Sequence, residues 1–415
     1  MKNILTIEYI IIILVTILIS CNVTQSIEDI LFDPDFKLNI SQLIAKQGYP
    51  VENHFVTTKD GYIISLQRIP NGINKNKGIF NNNNNNNNTK IKPTVLLQHG
   101  LEDIGTTWVF QENRYQSLGF ILADEGYDVW IGNVRGTIYS NKHLEYTVND
   151  DEYWDFTFNE MGEFDLPSMV DYIINVTGNS KVNYIGHSQG TTMGFIGFKD
   201  GSELTKKINT FFALAPVARV THCQSPLFNF LGNLRFGLIL KFFGVKSFLM
   251  DSPILRGFLA PTLCSITPIA CTTSLGFITG WGENSNLNET RLPVILSQSP
   301  GGTSTKNIIH WSQNLNNEFQ KFDYGSSYEN FIHYSQSTPP KYNITNFSKK
   351  IPTIIFTGGK DLISTKEDYN WLLPQLKNLI YYKHIDSYSH LDFVWGNDAY
   401  KQVYSDILKY LLKYN

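Results

Sequence analysis

Ser188 lies in Gly186-His187-Ser188-Gln189-Gly190, between an apolar run from Val182 to Ile185 and a stretch of helical spacing through Phe195 and Phe198. Strand, sharp turn and helix in that order lift a serine hydroxyl clear of a sheet, and the flanking glycines let strand and helix approach closely. A glycine-rich turn that happens to hold a serine would look the same, so the rest of the chain must decide. A serine hydroxyl attacks a carbonyl only when a base takes its proton. On a sheet that carries its nucleophile this way, an acid and then a histidine follow, each in a loop after a later strand. The strand Pro352 to Thr357 ends in Gly358-Gly359-Lys360-Asp361, and the strand Leu379 to Ile385 is followed by Asp386-Ser387-Tyr388-Ser389-His390. Of the histidines only His384 and His390 follow Asp361, and His384 falls inside the strand. His390 is therefore expected as general base and Asp361 as the carboxylate that orients it. Asp386 is an alternative too near His390 in sequence, and Asp392 reads more simply as a helix-start carboxylate. An oxyanion needs two preorganised donors; the backbone N–H of Gln189 supplies one and that of Leu101, after the strand Pro93 to Gln98, the other. His99 precedes the nucleophile and is expected in a structural polar role.

The elements that must position these groups alternate. Phe36 to Gly48 reads as a helix and Val51 to Pro70 as a hairpin turning at Lys59-Asp60-Gly61. Then follow the strand Pro93 to Gln98, helical spacing over Arg114 to Gly126, a strand Tyr127 to Asn133, and a helix Pro167 to Thr177 with Asp165 as its candidate cap. After the elbow come a strand Phe211 to Pro216, the strand Ile351 to Thr357, a helix near Glu367 to Leu376, and a closing helix from Asn397 to Leu412. Such alternation predicts a mostly parallel sheet with helices on both faces. It breaks between Ala218 and about Asn346. There Leu227 to Met250 carries Phe228, Phe230, Phe236, Phe242, Phe243 and Phe248, interrupted by Asn229, Asn233, Arg235 and Lys241. Those polar residues argue against a membrane span. An aromatic, mostly helical segment is expected, packing either as plain core or as a cap with its apolar face over Ser188; as a cap, Phe242 and Phe243 would set a preference for long acyl chains. The eight asparagines from Asn81 to Asn88 cannot build a core and read as a solvated insertion without assigned function.

With 415 residues, 42% hydrophobic, and a net charge of −3, the chain has the size of one large domain or a core plus an inserted one, and no basic excess suited to nucleic acid. Residues 1–26 read as a cleavable secretory leader, with an uncleaved anchor as the lesser alternative: an apolar run from Tyr9 to Ile19, too short to span a bilayer comfortably, with Thr24-Gln25-Ser26 at the cleavage site. No membrane span is expected after cleavage. Secretory entry gives meaning to the N-x-S/T triplets at Asn39, Asn87, Asn175, Asn288, Asn343 and Asn346 as glycosylation sites. In an oxidising compartment Cys264 and Cys271, seven apart, could close a short loop, leaving Cys223 as a buried thiol.

The runs Leu97-Gln98-His99-Gly100-Leu101, Asn133-Val134-Arg135-Gly136, Tyr184 to Thr192, Ala213 to Ala218, Gly358-Gly359-Lys360-Asp361-Leu362 and His390-Leu391-Asp392-Phe393 together resemble the acid lipases, the family of gastric lipase and lysosomal acid lipase. The resemblance covers nearly all of the mature chain. It implies an α/β-hydrolase core in two parts, residues 27–217 and 347–415, with a cap over 218–346. It further implies a serine carboxylic-ester hydrolase acting on triacylglycerols or cholesteryl esters at acidic pH, secreted or lysosomal. The triad and oxyanion positions it implies fall on Ser188, Asp361, His390, Leu101 and Gln189, and its cap disulfide on Cys264 and Cys271. The chain departs from the family after Arg135-Gly136, where Thr137-Ile138-Tyr139-Ser140 stands, and in the asparagine tract. The partner expected is a lipid ester at a lipid–water interface, met by a monomer, with no cofactor or metal. The competing readings are a hydrolase-fold binding protein without lipase activity, and a peptidase or other esterase on the same fold.

Overall fold

The computed structural model describes residues 33–73, 92–233, 239–240, 242–249, 268–280 and 286–415. The leader, the asparagine tract with Asn87, Phe236 and Cys264 lie outside these residues.

The chain opens with helix α1 (Ile40–Lys46), started by a reciprocal capping box between Asn39 and Gln42. Strands β1 (Glu52–Thr57) and β2 (Tyr62–Ile69) pair antiparallel across the expected turn. Then come β3 (Thr94–Gln98), α2 (Leu118–Asp124), β4 (Asp128–Gly132), the short β5 (Lys142–His143), α3 (Leu166–Thr177), β6 (Val182–His187), α4 (Gln189–Gly197) and β7 (Ile208–Leu214). The segment that follows holds α5 (Pro226–Asn233), β8 (Ser247–Phe248), α6 (Pro268–Thr279), α7 (Leu292–Gln298), β9 (Thr303–Ser304) and α8 (Thr305–Asn316). The sheet resumes with β10 (Thr353–Gly358), α9 (Lys366–Leu372) and β11 (Leu379–Ile385), and the chain closes with α10 (Ser405–Tyr414).

The main sheet runs β1-β2-β4-β3-β6-β7-β10-β11, with β5 on β2. From β4 to β11 all neighbours are parallel; β2 is antiparallel to β1, β4 and β5. Strands β3, β4, β6 and β10 are buried at every residue, as parallel strands covered on both faces must be, and this is why they read as unbroken apolar runs. The outer β1 alternates instead. Side chains leave a strand alternately to the two faces. Ile185, Phe212, Leu214, Ile354 and Phe356 enter one apolar cluster with Trp108 and Leu411. Tyr184, Phe211, Ala213 and Ile355 enter the other with Met169 and Phe198. Each such aliphatic or aromatic side chain removed from water contributes about 1.5–3 kcal/mol.

Register puts the chemistry on one edge. Gln98 pairs with Gly186, His187 with Leu214, and Gly358 with Ile385, so the residues after these strand ends emerge side by side. The chain turns back across β3, with β4 on one side and β6 on the other, which is where such sheets open a crevice for a ligand.

Asp165 is not the cap of α3. The helical path runs into α3 through a π-turn, Met161–Asp165, and Asp165 has helical φ and ψ with no capping bond. Its carboxylate instead takes the guanidinium of Arg135, which is fully buried and also binds Asp60. Cys223 is a buried free thiol and Cys271 is disulfide-bonded. Among the described residues no helix is long and apolar enough to cross a membrane.

Candidate active site

Between β6 and α4 the backbone turns on Ser188 at φ 52°, ψ −122°, a conformation that costs a non-glycine residue about 1–3 kcal/mol. The turn is held from both sides: Ser188 N–H donates to Leu214 O at 3.1 Å, and Ser188 O accepts from Thr191 N and Oγ1 at 2.8 and 2.7 Å. A Cβ on Gly190 would lie 2.5 Å from Gln98 O, so the helix start could not otherwise pass β3.

His390 Nε2 is 2.8 Å from Ser188 Oγ, and His390 Nδ1 is 2.8 Å from Asp361 Oδ2. A carboxylate only accepts, so Nδ1 carries the imidazole hydrogen and Nε2 is left as acceptor for the serine hydroxyl. Asp361 Oδ1 accepts the N–H groups of Ile363 and Ser364, both at 2.8 Å, which fixes the carboxylate from behind. The carbonyl of His390 receives His187 Nε2 at 2.8 Å; burial, then the neighbouring His390, pushes the His187 imidazole down to about 3, so it is neutral. All three side chains are buried. The rival candidates are placed elsewhere. His384 bonds Thr357 Oγ1 and the fully exposed Asp386, while Asp392 Oδ2 holds both the N–H and the hydroxyl of Ser389.

The Leu101 and Gln189 N–H groups are oriented through their peptide planes. A trans peptide sends its C=O and N–H in opposite directions. The Ser188 carbonyl is held by Thr191, so Gln189 N–H faces the other way. The Gly100 carbonyl accepts His99 Nδ1 at 2.8 Å, which directs Leu101 N–H in the same manner. Burial pushes the His99 imidazole down to about 4, and its Nε2 accepts from Val134 N–H at 3.3 Å. Gly100 passes so near that a Cβ there would lie 2.9 Å from Ser188 Cβ. Among the described residues neither N–H has an acceptor.

Sequence reasoning missed what holds Gln189. Its side-chain oxygen accepts Asn307 Nδ2 and Trp311 Nε1 at 2.9 and 2.8 Å, both from α8. Asn307 and Trp311 are four apart on one helix face, a polar stripe on an otherwise core-facing helix, and that was the signal available.

Above the serine lies a cavity of about 370 Å³, lined by Leu101, Gln189 and His390 on the sheet side and by Leu227, Phe228 and Phe248 opposite. Its walls are largely apolar. The aromatics of the overlying segment divide: Phe228 and Phe248 face this cavity, whereas Phe230, Phe242 and Phe243 are 58%, 84% and 74% exposed. The expectation that Phe242 and Phe243 line the site is thereby corrected. Both rings of this adjacent pair stand in solvent, and neither lines the cavity.

Residues 93–397 match the family described as alpha/beta hydrolase fold, and residues 40–112 the partial alpha/beta-hydrolase lipase region. Gastric triacylglycerol lipase of Bos taurus is 42% identical over 379 residues, 91% of each chain. Lysosomal acid lipase/cholesteryl ester hydrolase of Homo sapiens is 43% identical over 387 residues, 92% of each. The chain belongs to the acid lipase family. As a member of that α/β-hydrolase family it is a carboxylic-ester hydrolase. A solved structure from Acinetobacter baumannii assigned as a lipase shares the fold at 16% identity, with a TM-score of 0.51 over 92% of this chain and 99% of that one.

Proposed function

We propose that this acid lipase hydrolyses neutral-lipid esters, triacylglycerols or cholesteryl esters, through an acyl-enzyme on Ser188. His390 Nε2 takes the hydroxyl proton as Oγ attacks the ester carbonyl, and Asp361 steadies the resulting imidazolium without accepting its proton. The carbonyl oxygen becomes an oxyanion between the N–H groups of Leu101 and Gln189, each donor being worth about 3 kcal/mol in such sites. Collapse breaks the ester bond; His390 hands its proton to the departing alcohol. Water, deprotonated by the same imidazole, then attacks the acyl-serine, and the fatty acid leaves with Ser188 restored. The observation that carries this reading is the bonded series Ser188–His390–Asp361 at the floor of an apolar cavity. The two relatives named above act on triacylglycerol and cholesteryl ester by their names, which supports the substrate class.

Residues 218–346 are read as the cap that supplies the far wall of that cavity. The leader 1–26 would route the chain to secretion or the lysosome as a monomer, with a disulfide from Cys264 to Cys271. Of the sequons, Asn39, Asn175, Asn343 and Asn346 are exposed and Asn288 is half-buried, which suits glycan attachment. The deciding assay sets the purified protein against esters of graded chain length and a cholesteryl ester at about pH 4.5 and about pH 7. Hydrolysis that rises with chain length and is greater at the lower pH is expected; cleavage of peptides alone would overturn the proposal. A mature N-terminus near residue 27 and a gel shift on glycosidase treatment test the route.

A further inference from the structure

Among the described residues, two acidic side chains that the chemistry above does not use line this cavity, Glu102 and its neighbour Asp103. Glu102 follows Leu101 directly and sits at φ 57°, a left-handed conformation for a residue with a long side chain. Its main chain is pinned from across the cavity: the Glu102 carbonyl accepts Gly301 N–H at 2.8 Å, and Asp103 Oδ1 accepts Ser299 Oγ at 3.1 Å. Both Glu102 carboxyl oxygens are shielded from solvent, and among the described residues no side chain bonds either; the nearby Gly302 N–H is the one group that favours the charged form. No Lys or Arg is among the described residues that line the cavity. The titratable groups around the cavity are Asp103, pushed up to about 6 by burial, the Cys223 thiol, also pushed up by burial, His187, held neutral, and His390, committed to Ser188 and Asp361.

An unpaired carboxylate in such a place would cost several kcal/mol, so the group keeps its proton. Burial pushes the Glu102 carboxyl up to about 8, with Gly302 N–H opposing. A carboxylic acid has one O–H to donate and an oxygen to accept. An acyl chain offers it nothing, and no described side chain of the wall bonds it. Only a ligand oxygen inside the cavity would recover what its burial costs.

Resting on the reading of Ser188 as nucleophile, we propose that Glu102 is a specificity-determining residue whose carboxyl hydrogen-bonds a second oxygen of the substrate, one carried within a few bonds of the scissile ester. Esters with such an oxygen are then favoured over esters of simple alcohols with plain acyl chains. The oxygen has two chemical sources: the alcohol part, as in an acylglycerol, or a hydroxyl on the acyl part.

The test compares kcat/KM of the wild-type protein, Glu102→Gln and Glu102→Leu on trioctanoylglycerol, octyl 3-hydroxyoctanoate and octyl octanoate in detergent micelles. Removal of one hydrogen bond to substrate should lower the ratio of an oxygen-bearing ester to octyl octanoate about fivefold in Glu102→Leu. Glu102→Gln keeps a donor and should hold that ratio within about twofold. The ester whose ratio falls identifies the source of the oxygen. As pH rises through about 8 the wild-type ratio for trioctanoylglycerol, whose oxygens only accept, should drop while that of Glu102→Gln does not. Ratios unchanged in Glu102→Leu, or equal losses in the Gln and Leu variants, would overturn the proposal while leaving the lipase reading intact. A wild-type protein inactive on all three esters would sink the lipase reading itself.

Discussion

The two walls of the cavity are built on opposite rules. On the sheet side the triad and Gln189 have fixed partners: Asp361 takes two backbone N–H groups and His390, His390 is pinned through its own carbonyl, and the Gln189 side chain is gripped by Asn307 and Trp311. On the far side Leu227, Phe228 and Phe248 meet the cavity through apolar contact, and Phe230, Phe242 and Phe243 of the same stretch stand in solvent. Hydrogen bonds weaken steeply with angle and distance, so a bonded wall fixes atoms to a fraction of an ångström. Apolar burial is non-directional and tolerates many shapes. On the proposed mechanism, bond-making falls to the wall held by hydrogen bonds and the choice of acyl chain to the apolar wall.

The sharpest break of that contrast is Ser188→Ala, which should lower turnover by at least about a thousandfold with little change in stability. Adding His390→Gln to it should cost little more, because the groups act as a unit. A serine-directed phosphonate should label Ser188 and not Ser389, whose hydroxyl is already given to Asp392. His384→Gln should stay within about twofold of wild type, its ring being tied to Thr357 and Asp386 away from the site. A loss at His384 matching that at His390 would reverse the assignment of the base.

Beneath the rigid wall lies the Arg135 network. Asp165→Asn would leave the buried guanidinium with only Asp60, and breaking such a pair typically costs about 3–5 kcal/mol. The urea midpoint should fall accordingly, with activity per folded molecule retained. An unchanged midpoint would mean the network contributes nothing to the frame.

Glu102 ties the two walls together and has a pH signature of its own. Its folded pKa, about 8, lies above the ordinary carboxyl value. Between those values the folded state binds the proton that the unfolded chain has released, so wild-type stability falls as pH rises through this interval. Below it the acid form is present in both states and the penalty vanishes. Glu102→Leu should therefore gain stability relative to wild type by an amount that grows with pH, reaching on the order of 5 kcal/mol. A constant difference between about pH 5 and about pH 8 would show that the carboxyl is not held neutral.

Sequence exposed most of the bonded wall because it is made of short-range signals. Strands buried on both faces must be apolar throughout, the elbow needs its glycines, and a serine, an acid and a histidine follow the ends of β6, β10 and β11 in fixed order. What supports that wall was hidden by distance in the chain. Arg135 meets Asp60 and Asp165 across 75 and 30 positions, and Asp165 stands where a helix cap would stand. Gln189 and its partners on α8 are over a hundred residues apart. The far wall was legible only in composition. A run rich in phenylalanine announces an apolar surface, but six rings without a clean helical period do not say which of them face inward.

The smallest expected effect separates those rings. Phe228 touches the cavity, so Phe228→Ser should lower kcat/KM for long-chain esters relative to short ones. Each methylene no longer covered forfeits up to about 0.8 kcal/mol, roughly a fourfold change. Phe242 and Phe243 contact mainly each other, their rings 5.4 Å apart, and lie open to solvent. Replacing both with serine should leave chain-length preference on micellar substrate within about twofold, since neither ring lines the cavity. An exposed aromatic pair of this kind has a use only where water ends, as at an emulsion droplet. The double variant should therefore lose several-fold in rate on emulsified triacylglycerol, through weaker adsorption rather than altered selectivity. If the double variant instead loses long-chain preference on dissolved esters, these rings must turn inward when substrate binds, and the division between the two walls would hold only for the empty enzyme.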